Sequence, residues 1–387
     1  MSETKGDTIG DNVNWDALRD EFAVTRNYNY QNHAAIAPLC KSAVEAAKKH
    51  LDHSNQFAYL GGGFYRQAER VRQQAADLIN ANPDEICFVK NTTEGLSFVA
   101  NGLTWQRGDN VVTTNVEFPA NMYPWMALRN HGVEVQMVFE ENGRIPLDRV
   151  IESINARTRV VTISSIQYAS GFRTDLAALG DFCASRGVFL CVDACQSLGV
   201  FPIDVKAMNI DFLSSGTHKW LCGPEGLGIF YVRKEVQGML APTTVGYMSM
   251  KNPRMYDKYH FEFQDSARRY DSGGYNITGI HALGGALSMI ASVGVQAITE
   301  RLTYLTGRLV EGLQSKGYHV ISSRKPDELS GIVAFASDYH DHSQIQMHLE
   351  KEHRLVIAQR AGRLRSSPHF YTSQREIEQL VELLPSH

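Results

Sequence analysis

None of the six cysteines of this chain, at 40, 87, 183, 191, 195 and 222, forms a CxxC pair, and none follows Cys222. The missing pairs remove the ligand spacing of small zinc sites and of dithiol redox centres. They leave buried free thiols in a reducing cytoplasm as the plain expectation. No run approaches the ~18 apolar residues of a transmembrane helix, and the opening stretch MSETKGDTIGDNVNWD lacks the apolar core of a secretory signal. No membrane span and no export are therefore expected. The formal net charge is only −4, so electrostatics gives no reason to expect nucleic acid or an anionic membrane as partner, although a local basic pocket stays compatible with that average. No repeat of fixed length appears either.

What is present is ordinary globular composition, 43% hydrophobic and 21% charged over 387 residues, enough for a large domain and a smaller one. Helical periodicity marks 39–51 and 65–80, and Asn82-Pro83 ends the second. Short apolar runs follow at 86–90, 110–114, 133–139, 159–166, 188–192, 210–214 and 227–232, with helical stretches at 119–130, 147–155 and 175–186 between several of them. Nearly continuous apolar strands alternating with helices predict an α/β fold, a mostly parallel seven-stranded sheet sandwiched by helices. From about 276 the texture changes to a long helical stretch, with a break expected near Gly294, then VISS, GIVAFAS and a last helix in REIEQLVELL. The expected division is a polar, partly helical segment 1–28 packing on the small domain, a large domain 29–289, and a smaller α+β domain 290–387.

Three pieces project from one edge of such a sheet, where open parallel sheets bind their ligands. Thr92 and Thr93 follow the first strand, Asp193 ends the run VFLCV, and Lys219 follows IDFLS. A lysine amine can form a Schiff base with an aldehyde cofactor and then carry protons. A carboxylate beside a pyridine nitrogen keeps it protonated, and a helix start with hydroxyls suits a phosphate. Each signal alone has a plainer meaning. Asp193 could cap a turn, Lys219 could be surface charge, Thr-Thr-Glu could be a capping box closed by Glu94, and His218 could be structural. Their order and spacing together favour one site, and no spacing calls for a metal.

At this point the chain resembles the class V aminotransferase family of fold-type I pyridoxal-phosphate (PLP) enzymes, which includes cysteine desulfurases and isopenicillin-N-epimerase-like proteins. The motifs are NTTEGLSFVANG at 91–102, NVEFPANMYPW at 115–125, VDACQSLGVFPIDV at 192–205, SSGTHKWLCGPEGLGIFYVR at 214–233, YDSGGYN at 270–276 and AGRLRSSPHFY at 361–371. The resemblance implies Lys219 as the Schiff-base lysine, Asp193 as partner of the ring nitrogen and Gln196 as donor to the ring oxygen. It implies Thr93 and His218 at the phosphate with Thr92 beside them, Phe118 stacked on the ring, and Arg365 as the fork that holds an α-carboxylate. Tyr168 would face cofactor or substrate, and His33 would assist on the substrate side. A homodimer is implied as well, with the loop at Gly273 and Gly274 completing the neighbouring subunit's phosphate site.

Two departures bear on the reaction. Phe118 stands where desulfurase-like members often carry a ring-stacking histidine, so proton work falls to Lys219. The stretch LVIAQRAGRLRSSP holds no cysteine to accept sulfur, which argues against a classical persulfide-forming desulfurase. The expectation is a cytoplasmic enzyme that binds an α-amino acid, displaces Lys219 from the cofactor and removes the Cα proton. Amino transfer leads as the outcome. A C–S lyase without a cysteine nucleophile and an isopenicillin-N-epimerase-like reaction remain open. The aromatic segment 247–264 is expected to shape either a substrate entrance or a dimer surface.

Overall fold

The computed structural model describes residues 13–386. Residues 1–12 of the expected polar segment lie outside the described residues. From Asn14 onward the chain docks on the carboxyl-terminal part. Phe22 stacks on Tyr371 with ring centroids 3.7 Å apart, and Arg19 pairs with Glu376 at 2.6 Å.

Seven strands form the central sheet: β1 (Ile86–Val89), β2 (Asn110–Thr114), β3 (Glu134–Val138), β4 (Thr158–Ser164), β5 (Phe189–Asp193), β6 (Phe212–Gly216) and β7 (Gly228–Val232). Their spatial order is β1-β7-β6-β5-β4-β2-β3. Only β7 runs against the others, pairing antiparallel with β1 and β6. Strands β2, β6 and β7 are buried along their whole length, as a sheet covered on both faces requires. Edge strand β3 instead reads EVQMV and leaves Glu134 and Met137 exposed, and the charge at its start blunts the open edge.

The helical expectation for 119–130 is corrected. Pro119 and Pro124 divide that stretch into a short helix, Tyr123–Met126, between two 3-10 turns, because proline supplies no N–H for a continuous ladder. The break near Gly294 is real. Helices Ile277–Val293 and Val295–Ser315 meet there at 76°, and Gly294 takes φ +88, a conformation that suits glycine. Ile277–Val293 is apolar nearly all round because it is wrapped by helices Lys41–Phe57 and Phe64–Leu78. A methyl group on Gly285 would run into the Ser42 carbonyl. No single helix among the described residues is long and apolar enough to cross a membrane.

A second, antiparallel sheet has the order Ala358–Arg360, Arg363–Ser366, Val333–Ala336, His319–Val320. Its apolar face packs Phe335 and Leu364 against Leu305, Leu309, Leu349 and Leu380 from the surrounding helices. We propose the kink at Gly294 as the division between the two domains. The hairpin of Ala358–Arg360 and Arg363–Ser366 was not foreseen from the sequence. Its turn residues Ala361 and Gly362 both have positive φ, +50 and +74, the geometry of a two-residue hairpin loop.

Candidate active site

The carboxyl ends of β1, β4, β5 and β6 open onto one cleft of about 470 Å³. Thr92, Thr93, Phe118, Tyr168, Asp193, Gln196, His218, Lys219 and Arg365 all line it. At one end stands the start of helix Thr92–Gly102. Asn91 caps it by accepting the Glu94 N–H at 2.9 Å, and Glu94 accepts the Lys90 N–H at 2.6 Å. The cap expected from Thr-Thr-Glu is thus supplied by Asn91, one residue earlier, with Glu94 turned back to Lys90, which leaves Thr93 out of the cap. Thr92 accepts the Gly216 N–H at 2.9 Å, and Thr93 is exposed. The start of the helix thus opens onto the cleft with Thr92 and Thr93 on its lining, an arrangement that suits an anion.

Asp193, at the end of β5, is buried. One carboxylate oxygen accepts the Cys195 N–H at 2.9 Å. Burial raises the acid to about 6, against that hydrogen bond and the nearby Lys219, with Glu117 raising it further. Gln196 lies one turn on. Its Nε2 donates to the Ala34 carbonyl at 2.9 Å, and its Oε1 accepts from Trp220 Nε1 at 2.7 Å. Its second amide N–H has no acceptor among the described residues. Lys219 is largely buried and makes no ion pair among the described residues. Its Nζ sits 5.2 Å from the centroid of the Phe118 ring. His218 is pushed below the usual imidazole range by burial and by Lys219.

Phe118 is 42% exposed, its ring open to the cleft and edge-on to Tyr168 with centroids 5.2 Å apart. Sequence reasoning missed what holds it there. Glu117, buried, accepts the Ser164 N–H at 2.9 Å, the Ser164 hydroxyl at 2.5 Å, Asn121 Nδ2 at 2.9 Å and Gln167 Nε2 at 2.7 Å. A carboxylate with its acceptor sites filled in a buried setting is a rigid anchor.

Arg365 reaches the cleft from the unforeseen hairpin. It is 1% exposed; one Nη donates to the Tyr168 carbonyl at 2.6 Å and the other to Asn32 Oδ1 at 3.4 Å, while its Nε has no hydrogen-bond partner among the described residues. Burial, then Arg360, pushes its guanidinium below the ordinary arginine range. Arg360 lines the same cleft and was also missed.

Two expected positions lie elsewhere. His33 is not among the cleft residues. It is fully buried, with Nδ1 on the Ser367 carbonyl at 2.8 Å and Nε2 on the Tyr371 hydroxyl at 2.6 Å. Both ring nitrogens are thus engaged, and burial first, then His369, holds the group well below its usual range. Gly274 borders a separate recess with Gly273. That loop is anchored by Asp271, which pairs with buried Arg72 at 3.2 Å and accepts the Tyr275 hydroxyl at 2.8 Å.

These groups fit PLP. Asp193 has a carboxylate oxygen left for a ring N–H, Phe118 offers an open face, Lys219 is an unpaired amine, and the Thr92–Gly102 helix start can take a phosphate. The sequence model of the family Aminotransferase class-V matches residues 29–380. The chain is 29% identical to a probable cysteine desulfurase of Methanothermobacter thermautotrophicus, over 95% of this chain and 96% of that protein. Its structure is similar to that of an apo cysteine desulfurase from Thermococcus onnurineus NA1, at 25% identity and TM-score 0.87, covering 95% of this chain and 96% of that one. It is also similar to a variant of C-DES with glycine covalently linked to the PLP cofactor, at 22% identity and TM-score 0.87, covering 94% and 98%.

Proposed function

The chain belongs to the class-V aminotransferase family and is a PLP-dependent enzyme, and from that premise we propose that it transfers the amino group of an α-amino acid. When bound, PLP supplies an aldehyde that takes up the amino group and a protonated ring that accepts the electrons released at Cα. Asp193 holds the ring nitrogen and Phe118 stacks on the ring. The free N–H of Gln196 meets the ring oxygen. Thr93, Thr92 and His218 hold the phosphate. Arg365, with one edge of its fork open, holds the substrate carboxylate.

The observation that carries this reading is the placement of proton carriers. Lys219 Nζ stands beside Phe118, which exchanges no proton, and His33 is locked away by Ser367 and Tyr371. Lys219 Nζ therefore takes the Cα proton and returns a proton on the same face, which suits transfer. Inversion at Cα calls for a second group on the opposite face; with His33 buried elsewhere, Tyr168, edge-on to Phe118 in the cleft, is the group left for that competing outcome.

The relatives named cysteine desulfurases raise sulfur chemistry as the competitor. Against persulfide formation on this chain stands the hairpin that carries Arg365, which holds no cysteine. Cys195 borders the cleft, two residues from Asp193 on the cofactor side. We place the Gly273–Gly274 loop at the phosphate of a second subunit in a homodimer. The six free, buried cysteines suit a reducing compartment such as the cytoplasm.

One assay separates the outcomes. Amino acids are incubated with holoenzyme in deuterated water, with and without a keto acid. Deuterium at Cα with keto-acid-dependent amino exchange is the expected result. Inverted, deuterated amino acid would replace transfer by epimerisation. Pyruvate released with sulfide or a thiol would replace it by a C–S lyase.

A further inference from the structure

The hairpin that delivers Arg365 carries more positive charge than one carboxylate requires. In its register Ala358 faces Arg365 and Arg360 faces Arg363. Directly opposed residues share a face, and so do residues two apart along a strand. Arg360, Arg363 and Arg365 therefore stand on one face, with Leu364 turned to the core. Arg363 is neutralised by Glu140 at 2.7 Å. Arg360 and Arg365 have no carboxylate partner among the described residues. Their own bonds run to main-chain carbonyls and to the neutral Asn32 side chain. Both border the cleft, Arg365 buried and Arg360 half-buried.

Two like charges side by side at a partly buried site repel, and burial weakens the solvent screening that would relieve them. Among the described residues the sole carboxylate lining the cleft is Asp193, which is assigned to the cofactor ring nitrogen. The cofactor phosphate is assigned to the Thr92–Gly102 helix start. A substrate with only an α-carboxylate would satisfy Arg365 and leave Arg360 unmatched. Diagonal neighbours on one face of a hairpin stand about 7–8 Å apart, a span that a short molecule with two anionic groups can bridge.

We propose that Arg360 is a specificity residue of this site, binding the anionic side chain of an α-amino acid substrate whose α-carboxylate lies on Arg365. The substrate class is an amino acid with a side-chain carboxylate or sulfinate. This assignment rests on the amino-acid reading of the cleft given above and deepens it.

The test compares kcat/KM of the holoenzyme for Cα–H exchange of glutamate, aspartate and cysteine sulfinate with that of glutamine, asparagine and alanine. A charge-assisted hydrogen bond made only with the acidic members predicts a preference of roughly 10- to 100-fold. Arg360→Gln should collapse that ratio towards one, and Arg360→Lys should keep part of it. The visible spectrum of bound cofactor in each variant confirms that the site is folded and loaded. Exchange without acidic preference in the wild type, or a preference that survives Arg360→Gln, would overturn the role of Arg360 and leave the amino-acid reading standing. Absence of exchange with every amino acid would overturn both.

Discussion

Trp220 Nε1 donates to Gln196 Oε1 at 2.7 Å, so the residue after Lys219 is tied to the turn that follows Asp193. Both side chains are buried. The bond joins the turns after β5 and β6, next to Asp193 and Lys219, the residues proposed for the ring nitrogen and the Schiff base. Replacing Trp220 by Phe keeps an aromatic ring but strands the Gln196 carbonyl. The expected result is a loss of about 1–3 kcal/mol in stability and an altered visible spectrum of the bound cofactor. Denaturation of the holoenzyme and absorbance measure the two.

Asp193 gives a pH signature. Its acid is raised to about 6 by burial, above the ~3.9 of an unfolded chain. Between those values the folded apo-protein binds the proton that the unfolded chain has lost. The contribution of Asp193 to apo stability is therefore greatest below pH ~4 and declines as pH rises to about 6, by roughly 3 kcal/mol in all. Asp211, also raised to about 6, titrates in the same window, so the comparison is with Asp193→Asn, in which that part of the slope disappears. The same variant should bind PLP yet exchange Cα protons at least ~100-fold more slowly. An unchanged rate would remove Asp193 from the ring nitrogen.

Arg365→Lys keeps the charge and loses the planar fork. Its KM for amino acids should rise roughly 10- to 100-fold while the spectrum of the bound cofactor stays intact. Steady-state kinetics at constant PLP decides it, and unchanged kinetics would reject the carboxylate clamp.

Asp271→Asn removes the counter-charge of Arg72, whose side chain is fully buried. Arg72 keeps only the half-exposed Glu69 at 3.5 Å, so the loss approaches but stays below the about 3–5 kcal/mol of a buried guanidinium left wholly unpaired. Because Asp271 anchors the Gly273–Gly274 loop, the variant should also bind PLP more weakly if that loop completes a neighbour's phosphate site. Urea denaturation and PLP titration, with sedimentation to establish the dimer, separate the two effects. Lost stability with unchanged PLP affinity would leave Asp271 a purely structural residue.

The cleft was legible to different degrees along the chain. Thr93, Asp193 and Lys219 follow local strand signals, so their common edge could be read from apolar runs and turns. Glu117 was overlooked because nothing near it in sequence announces that Ser164 and Gln167, nearly fifty residues on, will donate to it. Arg360 was overlooked for a related reason. Its hairpin lacks the Asn-Gly or Asp-Gly pair that usually marks such a turn, and only Ala361-Gly362 hinted at it. His33 was expected near the substrate because it lies in a segment that does reach the cleft, through Ala34, Ala35 and Ile36. The direction of one side chain in an irregular segment depends on distant partners, here Ser367 and Tyr371.

The sequence by itself determined the α/β sheet and, through its motifs, the family and its cofactor, and it marked Lys219 as the lysine proposed to engage that cofactor, because strand periodicity and strand-end chemistry are local. The tertiary structure alone decided which groups share the cleft. It removed His33 and brought Arg360 beside Arg365. Those outcomes turn on hydrogen bonds and strand pairings between segments far apart in the chain, and no local pattern encodes the direction in which a side chain finally points.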